Sequence, residues 1–355
     1  MHVKRRIGQS AGVDEFSSEL TMPDDRTKVN RTNQSRVVAS EVDPSSIRLM
    51  AKHARTFNFA ARFLPAEKRR AAIALYAFFR SLDDLVDQPV AVLNTQQVQR
   101  EFDAWRHWLT EGRSAPGPRE PLAREVSAVI DRYEIPVVHF LDLLDGLESD
   151  LGAIDFEDDV DLHAYCYRVA STVGLAMSHV LGARSAAALS AAADLGMAMQ
   201  LTNILRDVGE DLSLGRIYLP KSSLVRYKLS RQSLSELWLA GHGPDDRLRA
   251  LMAEEIARAR GLYTRGIAGI WLLPADSRLP ILIASRLYRR ILSVIEGNRY
   301  DTLRFRASTT TFEKLEEAAI STLLIRLWRH GERSSDLEFN GFHRNFEAVD
   351  AVAQQ

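Results

Sequence analysis

Apolar positions recur three and four residues apart from about residue 44 to residue 330, and no stretch alternates strictly enough to read as a strand. Pro44 and Ser45 open a predicted helix that runs through AKHARTFNFAARFL. Pro65 ends it and suits the first turn of the next, PAEKRRAAIALYAFFRSLDDLVDQ, which Pro89 stops. The residues that follow, with Pro116, Gly117 and Pro118, read as a linker. Further helices are predicted near 120–133, 136–150, 160–183, 185–212, 222–228, 231–240, 245–271, 277–297 and 310–330, with Gly215 and Pro220 breaking the pattern in LSLGRIYLP. No repeat of fixed period appears, so residues 44–330 are expected to form one all-α domain. Residues 1–43, rich in Ser, Asp, Arg and Asn, read as a flexible N-terminal arm. Residues 331–355 read as a polar C-terminal tail in which Phe339, Phe342 and Phe346 offer docking points.

Within this helical pattern the polar positions are unusual at two places. SLDDLVDQP places Asp83, Asp84 and Asp87 at the end of a helix, where the macrodipole is already negative. Asp83 and Asp87 lie four apart on one face, and at an effective dielectric near 20 their repulsion is about 3 kcal/mol. QLTNILRDVGED repeats the anomaly: Gln200, Asn203, Asp207 and Asp211 follow one stripe, while Leu201, Ile204, Leu205 and Val208 occupy packing angles. Either cluster alone reads as an acidic, solvated helix end. Two such clusters facing each other would repel, and divalent cations held between them and a substrate diphosphate would reverse the sign. Magnesium, with manganese as a substitute, suits such hard oxygen donors, because it keeps positions for water and phosphate.

Arginines are interleaved with these acids. Arg80 precedes Asp83 by three residues, Arg206 adjoins Asp207, and Arg216 lies two residues before Tyr218. Guanidinium groups grip phosphate oxygens in a planar, bidentate way, and they also serve as plain partners of neighbouring aspartates.

Composition narrows the choice. The chain has 355 residues, 46% of them apolar, and a net charge of −1, so no basic excess points to nucleic acid as the main partner. A lone cysteine, Cys166, excludes an intramolecular disulfide and a cysteine-based zinc site and suits a reducing compartment. No apolar run reaches the roughly 18–20 residues of a membrane span, and KRR at residues 4–6 is followed by polar GQSAGVDEFSSEL rather than an export segment.

The residues now carry a resemblance. GMAMQLTNILRDVGEDLSLGRIYLP (196–220) resembles the second aspartate-rich region of the squalene/phytoene synthase family, and YAFFRSLDDLVD (76–87) resembles its first. YCYRVASTVG (165–174) and HARTF (53–57) are similar to two further signatures, and LYRRILSVIEGNRYDTLRFRAS (287–308) to a C-terminal element of phytoene synthases. The resemblance implies an isoprenoid-synthase-type helical bundle around a central apolar cavity. It implies Asp83 with Asp87 and Asp207 with Asp211 as magnesium and diphosphate sites, joined by Asn203 and Gln200. His53, Arg55, Thr56, Arg80, Tyr165, Arg206, Arg216, Tyr218, Tyr288 and Arg306 become diphosphate contacts or their neighbours, with Arg304 competing for the role of Arg306. Asp84, off the Asp83–Asp87 stripe, is expected to pair with an arginine. Thr56, Asn58 and Ser171 depart from the residues usual in the family and bear on pocket shape.

The chemistry so implied joins two prenyl diphosphates head to head. One allylic diphosphate ionises, the double bond of the second attacks the cation, and proton loss closes a cyclopropane ring. A second loss of diphosphate drives rearrangement to a linear cation, which ends by proton loss to a central double-bond or triene system or, with hydride from NADPH, as squalene. Small residues in VASTVGLAM and AADLGMAM suit a water-excluding wall or plain close helix packing. Tyr76 and Phe57 offer aromatic faces to a cation. The leading expectation is condensation of two geranylgeranyl diphosphates to phytoene without NADPH. Alternatives are a farnesyl-diphosphate-using presqualene, dehydrosqualene or squalene synthase, a terpene cyclase, and a non-catalytic assembly protein. The greasy substrates suggest a cytoplasmic protein in loose contact with the inner membrane face, although no strongly basic amphipathic helix stands out.

Overall fold

The computed structural model describes residues 42–87, 94–113 and 116–332. The expected arm through residue 41, Pro89 with its helix-stopping role, and the tail beyond residue 332 with its phenylalanines lie outside these residues. Among the described residues every regular element is helical.

In chain order the helices are α1 (Pro44–His53), α2 (Arg55–Ala61), α3 (Ala66–Val86), α4 (Thr95–Glu111), α5 (Leu122–Tyr133), α6 (Val138–Ser149), α7 (Asp159–Cys166), α8 (Thr172–Leu181), α9 (Ala186–Arg206), α10 (Val208–Ser213), α11 (Lys221–Arg226), α12 (Arg231–Leu239), α13 (Asp246–Ala268), α14 (Ala275–Gly297) and α15 (Thr311–Glu332). A π turn, Tyr167–Ser171, joins α7 to α8, and a 3₁₀ turn, Gly269–Leu272, follows α13.

Helix α4 falls in the stretch expected to be linker. Its start is a capping box between Asn94 and Gln97, and it buries Val98, Phe102, Trp105, Trp108 and Leu109. Those positions have helical spacing; the intervening Gln, Arg, Asp and His dilute the signal. Two expected helices are interrupted. The first breaks at Ala54, between α1 and α2. The helix expected over 185–212 breaks at Asp207, whose backbone (φ −103°, ψ 15°) separates α9 from α10.

The core has two main parts. Phe78, Phe102, Trp105 and Phe140 are fully buried between α3, α4 and α6, and Phe78 meets Trp105 and Phe140 edge to face, with centroids 4.9 and 5.5 Å apart. The larger part runs along α9, α13 and α14. There the small residues permit close approach: a Cβ on Gly269 would lie 2.0 Å from that of Ala191, and one on Gly196 would lie 2.5 Å from the Ala170 carbonyl oxygen.

Between these helices lies an apolar cavity of about 270 Å³. Phe57, Ala61 and Leu64 line it from α2 and the turn after it, Tyr76 and Phe79 from α3, Val173 and Met177 from α8, Ala191, Ala192 and Gly196 from α9, and Ile281 and Ala284 from α14. The small residues therefore serve both expected purposes, as cavity wall and as helix contact.

Candidate active site

At one end the cavity wall turns polar. Gln200 and Asn203 line it there beside Tyr76 and Tyr288, and the Asn203 Nδ2 donates to Gln200 Oε1 at 3.4 Å. One turn beyond Asn203 on α9 lies Asp207, and one turn beyond Phe79 on α3 lies Asp83, so each helix carries its aspartate cluster past this polar end.

The first cluster closes α3. Arg80 pairs with Asp83 at 2.8 Å and with Asp84 at 2.5 Å, so Asp84 has the arginine partner expected of it. Asp87 caps the helix C-terminally and accepts from Arg216 at 2.9 Å; the same guanidinium donates to the Val86 carbonyl at 3.1 Å. Residues far apart in sequence thus meet at the mouth.

The second cluster sits at the α9–α10 break. Arg206 grips Asp207 at 2.8 and 2.5 Å, and Arg306 grips the same carboxylate at 2.8 and 3.2 Å. Arg306 also reaches Glu210 at 3.1 Å, whereas Arg304 pairs with Asp301, so Arg306 and not Arg304 adjoins the second aspartate cluster. Gly209 makes this possible: its N–H donates to the Thr302 carbonyl at 3.1 Å, and a Cβ there would come within 2.3 Å of the Leu303 carbonyl oxygen.

Asp150, at the C-terminus of α6, completes the set and was missed by the sequence reading. It accepts from the hydroxyls of Tyr165 at 2.9 Å and Tyr218 at 3.3 Å, and their rings lie 5.3 Å apart. Its charge is felt at both Asp83 and Asp211. GLESD carries the same signal as the other two clusters, acids at the wrong end of a helix, but Glu148 and Asp150 are two apart and do not share a face.

Electrostatics show what this mouth lacks. Burial and the Asp207 charge push Asp211 up to about 8. Burial and Asp87 push Asp83 up to about 7, although its side chain is 45% exposed and solvent screens part of that effect. Burial raises Asp150 to about 6. Asp207 goes the other way, held below the usual carboxylate range by Arg206 and Arg306 against its own burial. The mouth therefore has room for more positive charge on the Asp83, Asp150 and Asp211 side. The Asn203 Oδ1 is buried there without a hydrogen-bond donor. Among the described residues no three His, Cys, Asp or Glu side chains converge enough to hold a metal ion unaided. An all-oxygen set this sparse fits a cation that shares its coordination with water and phosphate, as magnesium does.

Other expected residues stand apart from the acids. His53 and Arg55 are exposed at the junction of α1 and α2, and the charge of Arg55 is felt at Lys314 rather than at an aspartate. Thr56 is half-buried beside them. Phe57, from the same segment, packs on Tyr288 with ring centroids 5.0 Å apart, and both line the cavity. Ser171 is buried and donates to the Ala193 carbonyl at 2.7 Å.

Comparison with known proteins identifies the family. Residues 50–313 match the squalene/phytoene synthase family model. The 15-cis-phytoene synthase of Synechococcus elongatus is 36% identical over 305 residues, covering 82% of this chain and 96% of that protein. The 15-cis-phytoene synthase of Synechocystis sp. is 39% identical over 277 residues, covering 75% and 80%. Among solved structures, a dehydrosqualene synthase bound to ligand superposes with a TM-score of 0.70 at 29% identity, covering 83% of this chain and 98% of that one. The squalene synthase HpnC of Alicyclobacillus acidocaldarius shares the fold, with a TM-score of 0.64 at 24% identity over 77% and 97% of the two chains. The chain belongs to the squalene/phytoene synthase family and is an enzyme of the prenyltransferase type.

Proposed function

We propose that the protein condenses two geranylgeranyl diphosphates head to head to phytoene, through a cyclopropyl diphosphate intermediate. The observation that carries this reading is the placement of two arginine-laced aspartate clusters at one end of an apolar, small-walled cavity. Identity of 36–39% to proteins named phytoene synthase supports the twenty-carbon substrate.

Asp83, Asp87, Asn203, Asp207 and Asp211, with Asp150 added, are the residues that would hold magnesium. When bound, magnesium supplies positive charge to the diphosphate oxygens and so stabilises the leaving group. Arg80, Arg206, Arg216 and Arg306 already bridge the aspartates and are positioned to share those oxygens. Tyr165 and Tyr218 hold Asp150 in place, and burial keeps both hydroxyls protonated. Gln200 and Asn203 mark the border where the diphosphate ends and the prenyl chain begins. Beyond it the apolar wall excludes water, which would otherwise quench the allylic cation to an alcohol. Tyr76, Phe57 and Tyr288 present ring faces to that cation. His53, Arg55 and Thr56 serve at the outer rim.

The farnesyl-diphosphate reading is the second choice, favoured by the superposition on a dehydrosqualene synthase. The test is incubation of the purified protein and magnesium with geranylgeranyl or farnesyl diphosphate, with and without NADPH, and mass spectrometry of the extracted hydrocarbons. A C40 triene formed without NADPH is expected. A C30 product would replace the substrate assignment, and a cyclic product would replace the reaction. Because the expected product is a hydrocarbon that partitions into bilayers, the working site is proposed to be the cytoplasmic membrane surface.

A further inference from the structure

Helix α15 has an outer face that its inner contacts do not explain. Phe312, Leu315, Ala319, Leu323 and Leu327 follow one another at spacings of three and four residues and form a single stripe. The four large side chains are 55% to 75% exposed. The opposite face is buried, with Ala318, Ser321, Leu324 and Ile325 against the body of the protein.

Charge on this helix is sorted in the same sense. Its acids between Thr311 and Trp328 all turn toward α14: Arg290 pairs with Glu313 at 3.0 Å, with Glu316 at 3.2 Å and with Glu317 at 3.4 Å, and Arg286 pairs with Glu317 at 2.7 Å. What remains outward is apolar, with Arg326 as an exposed cation beside Leu327. A face cleared of carboxylates and edged by a cation is complementary to an anionic lipid surface.

The buried face of α15 ends at Trp328, which packs near the closed end of the cavity. Trp328 stacks on Trp271 at 4.4 Å, and the Arg278 guanidinium lies over Trp328 at 4.4 Å while donating to the Leu273 carbonyl at 2.8 Å. In the segment that carries Trp271, Ile270 and Leu273 line the cavity, yet Leu272 is 49% exposed. One 3₁₀ turn therefore separates cavity interior from outer surface. The stack fixes the end of α15 against the body of the protein, so the exposed stripe is held as a rigid face. Among the described residues no helix is long and apolar enough to cross a membrane, so the geometry is that of a helix lying on the surface.

We propose that the outer face of α15, from Phe312 to Leu327, docks on an anionic lipid bilayer. This surface rests on and deepens the membrane placement proposed above, and its test needs no substrate, so its failure leaves the proposed reaction untouched. The full chain is sedimented with vesicles of phosphatidylcholine alone or with phosphatidylglycerol added. Binding is expected, stronger with phosphatidylglycerol, and weakened at least about tenfold in Leu323→Glu/Leu327→Glu, whose side chains line neither cavity nor mouth. Thermal midpoint and turnover in detergent should be unchanged in that variant. Arg326→Glu should remove most of the preference for phosphatidylglycerol while leaving binding to phosphatidylcholine. Failure of the wild-type chain to sediment with either vesicle overturns the proposal, as does equal binding by the double variant. A wild-type dimer that the double variant splits, without any vesicle binding, assigns the face to a second copy instead.

Discussion

The guanidinium of Arg216 donates to Asp87 at 2.9 Å, and the two residues stand 129 positions apart in the chain. The same arginine is felt electrostatically at Asp150 and Asp211, so one positive charge serves acids from α3, α6 and α10. Its removal leaves mutually repelling carboxylates with less to offset them. Arg216→Ala is expected to lower kcat/KM by about a hundredfold, the scale seen when one preorganised charge-stabilising donor is lost. Arg216→Lys should recover only part, because an ammonium cannot hold a carboxylate and a diphosphate in the same planar fork. Steady-state kinetics with raised magnesium as a control checks this: full recovery by magnesium alone would assign Arg216 a purely electrostatic role.

Metal-free protein should lose stability as pH rises. Asp211 has a folded-state value of about 8, raised by burial and by Asp207, and Asp150 one of about 6, raised by burial. Raised carboxyl values mean that the folded state binds protons more tightly than the unfolded one. Their stabilising contribution is complete below about pH 4 and is lost as pH climbs through 6 and 8. In chelator the thermal midpoint should therefore fall between pH 5 and pH 8.5. Magnesium should raise it most at the alkaline end, where the carboxylates are already charged. In Asp211→Asn, measured alongside wild type, the fall should be shallower and end earlier, near pH 6, leaving only the part that Asp150 contributes; an unchanged slope would exclude Asp211 as its source.

Gly209→Ala tests how Arg306 reaches the mouth. The added methyl would meet the Leu303 carbonyl oxygen, so the 302–306 segment must lift away from α10. Overpacking of this kind costs about 1–3 kcal/mol, and the displaced Arg306 should release Asp207. Turnover should fall about as far as in Arg306→Ala. The double variant should lose little more than either single one, because both act through the same ion pair.

Tyr165→Phe keeps the ring contact with Tyr218 and removes the hydroxyl that Asp150 accepts from. Turnover is expected to drop by about tenfold or more with the thermal midpoint nearly unchanged. Tyr218→Phe, whose bond to Asp150 is longer, should cost less. Equal losses in the two variants would mean that the hydroxyls act elsewhere than through Asp150.

How far the sequence could be read depended on whether a signal was repeated. Asp83–Asp87 and Asp207–Asp211 stood out because each is a pair at helical spacing. Asp150 is equally central and stayed hidden, because its partners Tyr165 and Tyr218 come from other segments and only folding unites them. Helix α4 had a capping residue and a periodic apolar face, but polar residues outnumber the buried ones along its length. The break at Asp207 has no proline or glycine at the break itself. The bond from Asp211 N–H to the Asp207 carbonyl, at 2.8 Å, continues the helical ladder, so the sequence carries little trace of the bend. Arg306 could be separated from Arg304 only once the Asp301–Arg304 pair was visible.

The π turn at Tyr167–Ser171 has a consequence for alignment within one rod. In an uninterrupted α-helix, residues eight apart drift by about 80° around the axis, so Tyr165 and Val173 would face different directions. One residue absorbed by the π turn removes most of that drift, to within about 20°. The α7–α8 rod thus acts as a vernier: it keeps the tyrosine that serves the acids and the valine that lines the cavity on nearly one meridian. A one-residue deletion in this turn would swing the whole cavity wall of α8 relative to the mouth without touching any residue of either.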